Sequence, residues 1–195
     1  MARTLSNMLE LNTSAPSFTL PNVTDEKQVT LDDVRGENGT LIIFMCNHCP
    51  FVIHVIDEML SLCNEAKENG IGVVAISSND VLNYPADSPD KMASLAKEYG
   101  FDFPYLYDET QEVAKAYDAA CTPDFYIFDS QDKLVYRGRM EESRPGNDIP
   151  VAGDDLRAAI TATVNGKTLE TQYPSMGCNI TVSYTHLTLP TIHLV

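Results

Sequence analysis

The feature that most constrains the fold is an unbroken apolar run, LIIFM at residues 41–45, which ends in a pair of cysteines, Cys46 and Cys49. A run of this kind, without polar alternation, predicts a strand that is buried on both faces of a parallel sheet. The two cysteines are therefore expected where this strand gives way to the next element.

The segment after the cysteines predicts an amphipathic helix that runs to about Asn69 and stops at Gly70. Its apolar residues recur at steps of three and four: Val52, Val55, Ile56, Met59, Leu60 and Cys63. Cys46 is expected at or just before the first turn, where unpaired amides and the helix dipole favour a thiolate over a thiol. Pro50 fits within that turn, because its missing amide hydrogen costs nothing there.

The rest of the chain predicts an α/β fold. A second apolar run, at residues 71–76, follows the helix and implies a right-handed parallel crossover. Two short alternating segments, 17–20 and 28–31, predict an N-terminal β-hairpin. Asp108, with Gln111 three residues later, predicts the start of a further helix through a capping-box pattern.

The net charge of −15 in a chain of 195 residues limits the classes of partner. Such an acidic surface repels nucleic acids and anionic membranes, so neither is an expected partner. The sequence has no apolar run of about 18 residues and no signal-peptide pattern, so the cytoplasm is the expected location. Five cysteines, an odd number, fit reduced or catalytic thiols better than a disulfide framework.

The cysteine motif and its surroundings resemble the thioredoxin superfamily, in particular its peroxiredoxin-like, redoxin-domain (AhpC/TSA) branch. The motif CNHCP at residues 46–50 carries the resemblance, together with other segments that look like that branch: 78–80, 84–89, 120–125, 137–139, 143–147 and 174–178. A CxxC between a buried strand and a helix is a strong signal. The resemblance implies an α/β, thioredoxin-like fold, with a central mixed sheet flanked by helices and an N-terminal β-hairpin.

The resemblance covers about residues 8–180, so residues 1–180 are predicted to form one thioredoxin-like (redoxin) domain. The last fifteen residues, TVSYTHLTLPTIHLV, contain no Asp, Glu, Lys or Arg and do not continue the family pattern. Residues 181–195 are therefore expected to be an extension without function, with an extra edge strand as the alternative.

The resemblance also implies roles for the residues of the motif. Cys46 is expected to attack a disulfide as the thiolate, and Cys49 to resolve the mixed disulfide that results. His48, when protonated, would stabilise the Cys46 thiolate and make the disulfide more oxidising, or it is a solvated histidine with little effect. No cofactor is expected.

Other residues are predicted to support this site. The resemblance implies that the bond between Thr122 and Pro123 is cis and faces the two cysteines. Cys121 is then either a third redox thiol, a metal ligand or a buried small hydrophobe. Cys178 is a resolving cysteine or a bystander. Arg137 is a source of positive charge for the thiolate or for a substrate, or it is a solvated or salt-bridged surface arginine.

The predicted function is that of a thiol-disulfide oxidoreductase, which acts on protein or small-molecule thiols and disulfides, and on peroxides in the alternative below. An external reductant such as thioredoxin or glutathione would reduce the oxidised protein back to its dithiol form. One alternative is a thiol peroxidase with Cys46 as the peroxidatic cysteine, although residues 42–45 lack the upstream Pro and Thr of true peroxiredoxins. The other is a metal-binding module that uses Cys46, Cys49 and Cys121, with or without His48.

Overall fold

The computed structural model describes residues 3–180. Within them the chain forms ten strands and four α-helices. In chain order these are β1 (Arg3–Leu5), β2 (Thr19–Pro21), β3 (Gln28–Thr30), β4 (Gly39–Phe44), α1 (Pro50–Glu68), β5 (Ile71–Ser77), α2 (Pro89–Glu98), β6 (Tyr105–Tyr107), α3 (Glu112–Ala116), β7 (Cys121–Thr122), β8 (Asp124–Phe128), β9 (Leu134–Gly138), α4 (Asp154–Val164) and β10 (Met176–Asn179).

A mixed five-stranded sheet with the order β6-β5-β4-β8-β9 forms the centre of the fold. Strands β4, β5 and β6 run parallel, whereas β8 pairs antiparallel with both β4 and β9. Every residue of β4 is buried, as its unbroken apolar run predicts. The central mixed sheet is therefore confirmed.

Apolar layers cover both faces of this sheet. Leu41 and Ile43 of β4 face α1, α2 and α4, whose buried residues join them in one cluster. Ile42 and Phe44 point the opposite way, because successive side chains of a strand alternate. They pack with α3 and with the predicted hairpin, which β2 and β3 form as an antiparallel pair.

Parallel pairing brings two loops to one edge of the sheet. The carboxyl ends of β4 and β5 lie side by side, with Phe44 paired to Ile76. The cysteine motif follows β4 directly, and the segment from Ser78 to Ser88 follows β5. Sites of open α/β sheets form at this edge, so the two loops are placed to build one together.

A second, three-stranded antiparallel sheet with the order β1-β10-β7 lies beside the motif. Thr122 of β7 pairs with Cys178 of β10. Gly177, next to that cysteine, is needed for this pairing, because a Cβ there would lie 1.9 Å from the carbonyl oxygen of Thr122. This sheet thus brings the end of the described chain to the Thr122–Pro123 segment.

The start of α3 differs from its prediction. The helix begins at Glu112, not near Asp108, because Gln111 has a left-handed conformation with φ of 62°. Asp108 nevertheless contributes to the helix terminus, since its carboxylate accepts a hydrogen bond of 2.9 Å from the amide of Ala114. Asp108 was thus correctly predicted to lie at this helix terminus, whereas the predicted capping box, with the helix starting near Asp108, was wrong.

The predicted domain boundary at residue 180 stays a prediction, because the extension at 181–195 lies outside the described residues. The same holds for the alternative of an extra edge strand there. Among residues 3–180, no helix combines the length and the apolar character that crossing a membrane requires.

Candidate active site

The two cysteines of the motif lie in a loop between β4 and α1. Helix α1 begins at Pro50, and Cys49 before it is extended, with φ of −70° and ψ of 119°. A proline ring disfavours the helical conformation of the preceding residue, which explains this boundary. Cys46 therefore stands four residues before the helix, whereas the sequence predicted a position at or just before its first turn.

The loop amides bind a carboxylate that the sequence analysis did not identify as part of the site. Asp87 is fully buried, and its Oδ1 accepts hydrogen bonds from the backbone amides of Asn47 at 2.8 Å and His48 at 3.3 Å. Its Oδ2 accepts one from Nδ2 of Asn79 at 2.8 Å. The amides that could have stabilised a thiolate on Cys46 are thus occupied by a protein anion.

His48 forms an ion pair with the same carboxylate. Its Nδ1 lies 2.6 Å from Oδ2 of Asp87, and its side chain is 18% exposed. The imidazole also stacks on the ring of Tyr84, with ring centroids 5.0 Å apart and an angle of 10° between the planes. These two contacts fix the orientation of the ring beside the cysteine pair.

The Thr122–Pro123 peptide bond is cis, in agreement with the resemblance. Thr122 contacts both cysteines: its Oγ1 lies 3.4 Å from Sγ of Cys46, and its carbonyl oxygen accepts a hydrogen bond of 3.1 Å from Sγ of Cys49. The structure therefore brings Thr122, Pro123, Cys46, His48 and Cys49 together, as predicted.

The two thiols of the motif are buried and shift each other's pKa. A hydrogen bond from Cys46 lowers the pKa of Cys49 to about 5, whereas the same bond, burial and the negative charge of Asp87 raise the pKa of Cys46. In this reduced arrangement the low pKa predicted for Cys46 is not found. The interaction between the two thiols therefore favours a negative charge on Cys49.

The contacts of Thr122 influence which of the two sulfurs carries the negative charge during a reaction. Its hydroxyl can donate to a thiolate on Cys46, and this hydrogen bond lowers the pKa of Cys46. Its carbonyl oxygen can only accept, which favours a protonated Cys49. The hydroxyl of Thr122 lowers the pKa of Cys49 as well as that of Cys46, so it is the carbonyl contact with Cys49 that favours the charge on Cys46, the sulfur predicted to attack.

Cys121 is not part of the cysteine pair. It is fully buried, its pKa is raised by burial, and its Sγ lies 4.0 Å from the carbonyl oxygen of Ser175. It therefore behaves as a buried small hydrophobe, one of the alternatives left open by the sequence. Cys178, on the neighbouring strand, pairs with Thr122, whose carbonyl oxygen accepts from Cys49, and its interaction with Cys49 lowers the pKa of Cys49.

The predicted metal-ligand set is corrected by this geometry. Within residues 3–180, the one set of three such groups whose ligand atoms all lie within 4.8 Å of one another is Cys46, His48 and Asp87. Cys49 and Cys121 do not belong to it. A thiolate, an imidazole and a carboxylate are a donor set that zinc accepts, so a metal at this site would use Asp87 in their place.

Arg137 does not supply charge to the thiolates. Its side chain is buried, its Nη2 lies 3.2 Å from Oδ2 of Asp124, and its guanidinium stacks over the ring of Tyr126 at 4.6 Å. Arg137 is thus salt-bridged, but in the core and not at the surface as the alternative expected.

Asp87 and Tyr84 are the site residues without a role in the sequence analysis. The segment 84–89 was assigned to the resemblance, but no chemistry was attached to it. Its position after the second parallel strand was the available signal, because the loops after β4 and β5 share one edge of the sheet.

A surface pocket of about 220 Å³ adjoins the cis proline. Its walls combine apolar side chains with charged ones, among them Phe51, Pro123, Met176, Tyr173 and Arg144. A substrate that is held here would lie against the segment that contacts both sulfurs.

Comparison with known proteins adds a family to this geometry. The family model described as AhpC/TSA matches residues 11–137, about two thirds of the chain. The crystal structure of an uncharacterized conserved protein from Geobacillus kaustophilus is 53% identical, with a TM-score of 0.92, and the match covers 95% of this chain and 98% of that one.

Two further similarities concern proteins named for redox chemistry. The thiol-disulfide oxidoreductase ResA of Bacillus subtilis is 27% identical over 131 residues, 66% of this chain and 68% of that protein. The thioredoxin domain of a thiol-disulfide oxidoreductase from Bacteroides vulgatus is 20% identical, covers 81% of this chain and 100% of that one, and has a TM-score of 0.62. The latter confirms the thioredoxin-like fold.

Proposed function

Because this chain belongs to the AhpC/TSA family, we propose that it is a thiol-disulfide oxidoreductase that works through Cys46 and Cys49. One observation carries the proposal. The two thiols are hydrogen-bonded to each other and to Thr122, next to a cis proline and at the edge of the sheet. A buried dithiol of this kind is arranged to exchange with the disulfide of a substrate.

The proposed reaction has two steps. The thiolate of Cys46 attacks a substrate disulfide, its S–S bond breaks, and the first substrate thiolate leaves and takes up a proton. Cys49 then loses its proton and attacks Sγ of Cys46, which releases the second substrate thiol. The substrate gains two electrons, and the protein is left with a Cys46–Cys49 disulfide.

We assign the proton of the first leaving group to His48. Its Nδ1 lies 2.6 Å from Oδ2 of Asp87, and this contact holds the ring in the motif between the two cysteines. Proton transfer to a thiolate as it departs accelerates the cleavage of the substrate disulfide. Asp87 is then a positioning residue, since it acts through the imidazole.

The substrates follow from the same chemistry. We propose protein or small-molecule disulfides that bind in the pocket beside Pro123. Regeneration by thioredoxin or glutathione and a cytoplasmic location stay predictions. Purified reductants, compared as electron donors to the oxidised protein, and cell fractionation would test them.

The experiment that tests the function uses two serine variants. Cys49→Ser should accumulate a mixed disulfide between Cys46 and a model disulfide substrate, because no internal thiol resolves it, and Cys46→Ser should form none. Mass spectrometry of the intact protein and of its peptides identifies the adduct. Cys63→Ala is the matched control, because Cys63 is buried within the apolar core.

The peroxidase alternative gives a different outcome in the same variants. A peroxidase needs only Cys46 for its first step, in which the thiolate becomes a sulfenic acid. Rapid consumption of hydrogen peroxide that persists in Cys49→Ser and is lost in Cys46→Ser would overturn the oxidoreductase and establish the peroxidase.

A further inference from the structure

Cys49 lies between two other cysteine side chains. Interactions with Cys46 within the motif and with Cys178 on β10 both lower the pKa of Cys49. The three sulfurs do not all lie within 4.8 Å of one another, so they form a row with Cys49 in the middle rather than a compact cluster. Cys49 can therefore pair with either neighbour, but not with both at once.

The backbone holds Cys178 in this position. Strand β10 pairs with β7 so that Cys178 lies opposite Thr122, the residue that contacts both sulfurs of the motif. Gly177 allows the two strands to approach, because any Cβ there would collide with the carbonyl oxygen of Thr122. Both Cys178 and Cys49 are buried and belong to the same apolar cluster.

We propose that Cys178 is a third redox thiol that receives the disulfide from the motif by exchange at Cys49. The inference rests on the proposed function, because that reaction supplies the Cys46–Cys49 disulfide. Sγ of Cys178 attacks Sγ of Cys49, a Cys49–Cys178 bond forms, and the Cys46–Cys49 bond breaks. The proton of Cys178 is transferred to Cys46, so no external oxidant or reductant is needed.

Exchange of this kind changes which thiol of the oxidised protein is free. Cys46 becomes a free thiol again, while the two oxidising equivalents are held between Cys49 and Cys178. Burial raises the pKa of Cys178 to about 12, so its attack is slower than that of Cys49. Exchange with Cys178 therefore follows the closure of the Cys46–Cys49 disulfide and does not compete with it.

The test removes Cys46 and asks which thiol Cys49 selects. Purified Cys46→Ser protein is oxidised with diamide, a thiol oxidant, and its disulfide-linked peptides are mapped by mass spectrometry. A Cys49–Cys178 link is expected as the main product, at least about tenfold above any other link. Cys46→Ser combined with Cys178→Ala should lose that link, and Cys46→Ser combined with Cys121→Ala should keep it.

Wild-type protein provides the second measurement and does not depend on the folding of a variant. After oxidation with one equivalent of diamide, both Cys46–Cys49 and Cys49–Cys178 links are expected, and Cys178→Ala should show only the first. A main link between Cys49 and Cys121, or Cys49 found reduced or joined to an added thiol, would overturn the proposal. Trapping by Cys49→Ser does not involve Cys178, so the failure of one proposal is distinguishable from the failure of the other.

Discussion

His48 and Asp87 form a buried ion pair in the loop that carries the cysteines, with 2.6 Å between Nδ1 and Oδ2. The carboxylate of Asp87 can compensate a positive charge on the imidazole, and it is itself within reach of Cys46 and raises the pKa of that thiol. The effect of the histidine on the thiol pair is therefore inseparable from that of Asp87.

Asp87→Asn should make Cys46 more reactive. The substitution removes a negative charge that opposes the thiolate, so alkylation of Cys46 by iodoacetamide at pH 6 should be about tenfold faster, equivalent to about 1.4 kcal/mol. Peptide mass spectrometry measures the rate at that cysteine. Asp90→Asn, at an exposed position of α2, is the matched control and should change nothing. A slower reaction in Asp87→Asn would contradict the electrostatic argument.

His48→Asn should act in the opposite direction, because it leaves the charge of Asp87 uncompensated. The Cys46–Cys49 couple should become more reducing by more than about 30 mV, which is about 1.4 kcal/mol for two electrons. Equilibration with a glutathione redox buffer measures the potential. His54→Asn is the control, since that ring bonds to Ser143 instead. In an Asp87→Asn background, His48→Asn should shift the potential much less than in wild type, because no carboxylate charge is left to compensate, and an equal shift in both backgrounds would show that the pair is not coupled.

Thr122→Val should slow the reaction of Cys46. Valine keeps the shape of threonine but lacks the hydroxyl that lies 3.4 Å from Sγ of Cys46. Hydrogen bonds to charged groups contribute about 1.5–3 kcal/mol, so alkylation at pH 6 should fall by about tenfold or more. Thr122→Ser keeps the hydroxyl and should stay near the wild-type rate. Equal rates in the two variants would exclude this hydroxyl as the donor.

Arg137→Leu should destabilise the fold in a pH-dependent way. It leaves Asp124 buried without its cation, which costs about 3–5 kcal/mol near neutral pH. Burial already raises the pKa of Asp124, and loss of Arg137 removes the main interaction that lowers it. The folded variant thus binds a proton that the unfolded chain has released above about pH 3.9, so its stability falls as pH rises.

Urea unfolding at pH 5 and pH 8 checks this behaviour: the deficit of Arg137→Leu against wild type should be smaller at pH 5. Arg139→Leu is the matched control, because its partner Asp155 is partly exposed. Such pairs contribute about 1 kcal/mol or less. A deficit for Arg137→Leu that does not depend on pH would mean that Asp124 stays charged without its partner.

Local sequence patterns were sufficient to predict the strand before the cysteine motif and the helix after it. The apolar run before the motif predicted β4, and the stripe after it predicted a helix that ends at Gly70, which has a left-handed φ of 73°. Both predictions succeed because the polarity pattern and the backbone preferences of a segment are set by its own residues. The position of Cys46 relative to that helix was wrong, although Pro50 already restricts Cys49 to an extended conformation.

The sequence by itself determined the α/β fold, the cysteine pair and the resemblance from which the cis Thr122–Pro123 bond followed. Only the tertiary structure decided which charges and thiols meet that pair. His48 and Asp87 are 39 residues apart, and Cys178 reaches Cys49 through the pairing of β10 with β7. A pattern of polarity predicts that a residue is buried, but strand order and register determine which residues it contacts. The chemistry of the thiols depends on those contacts.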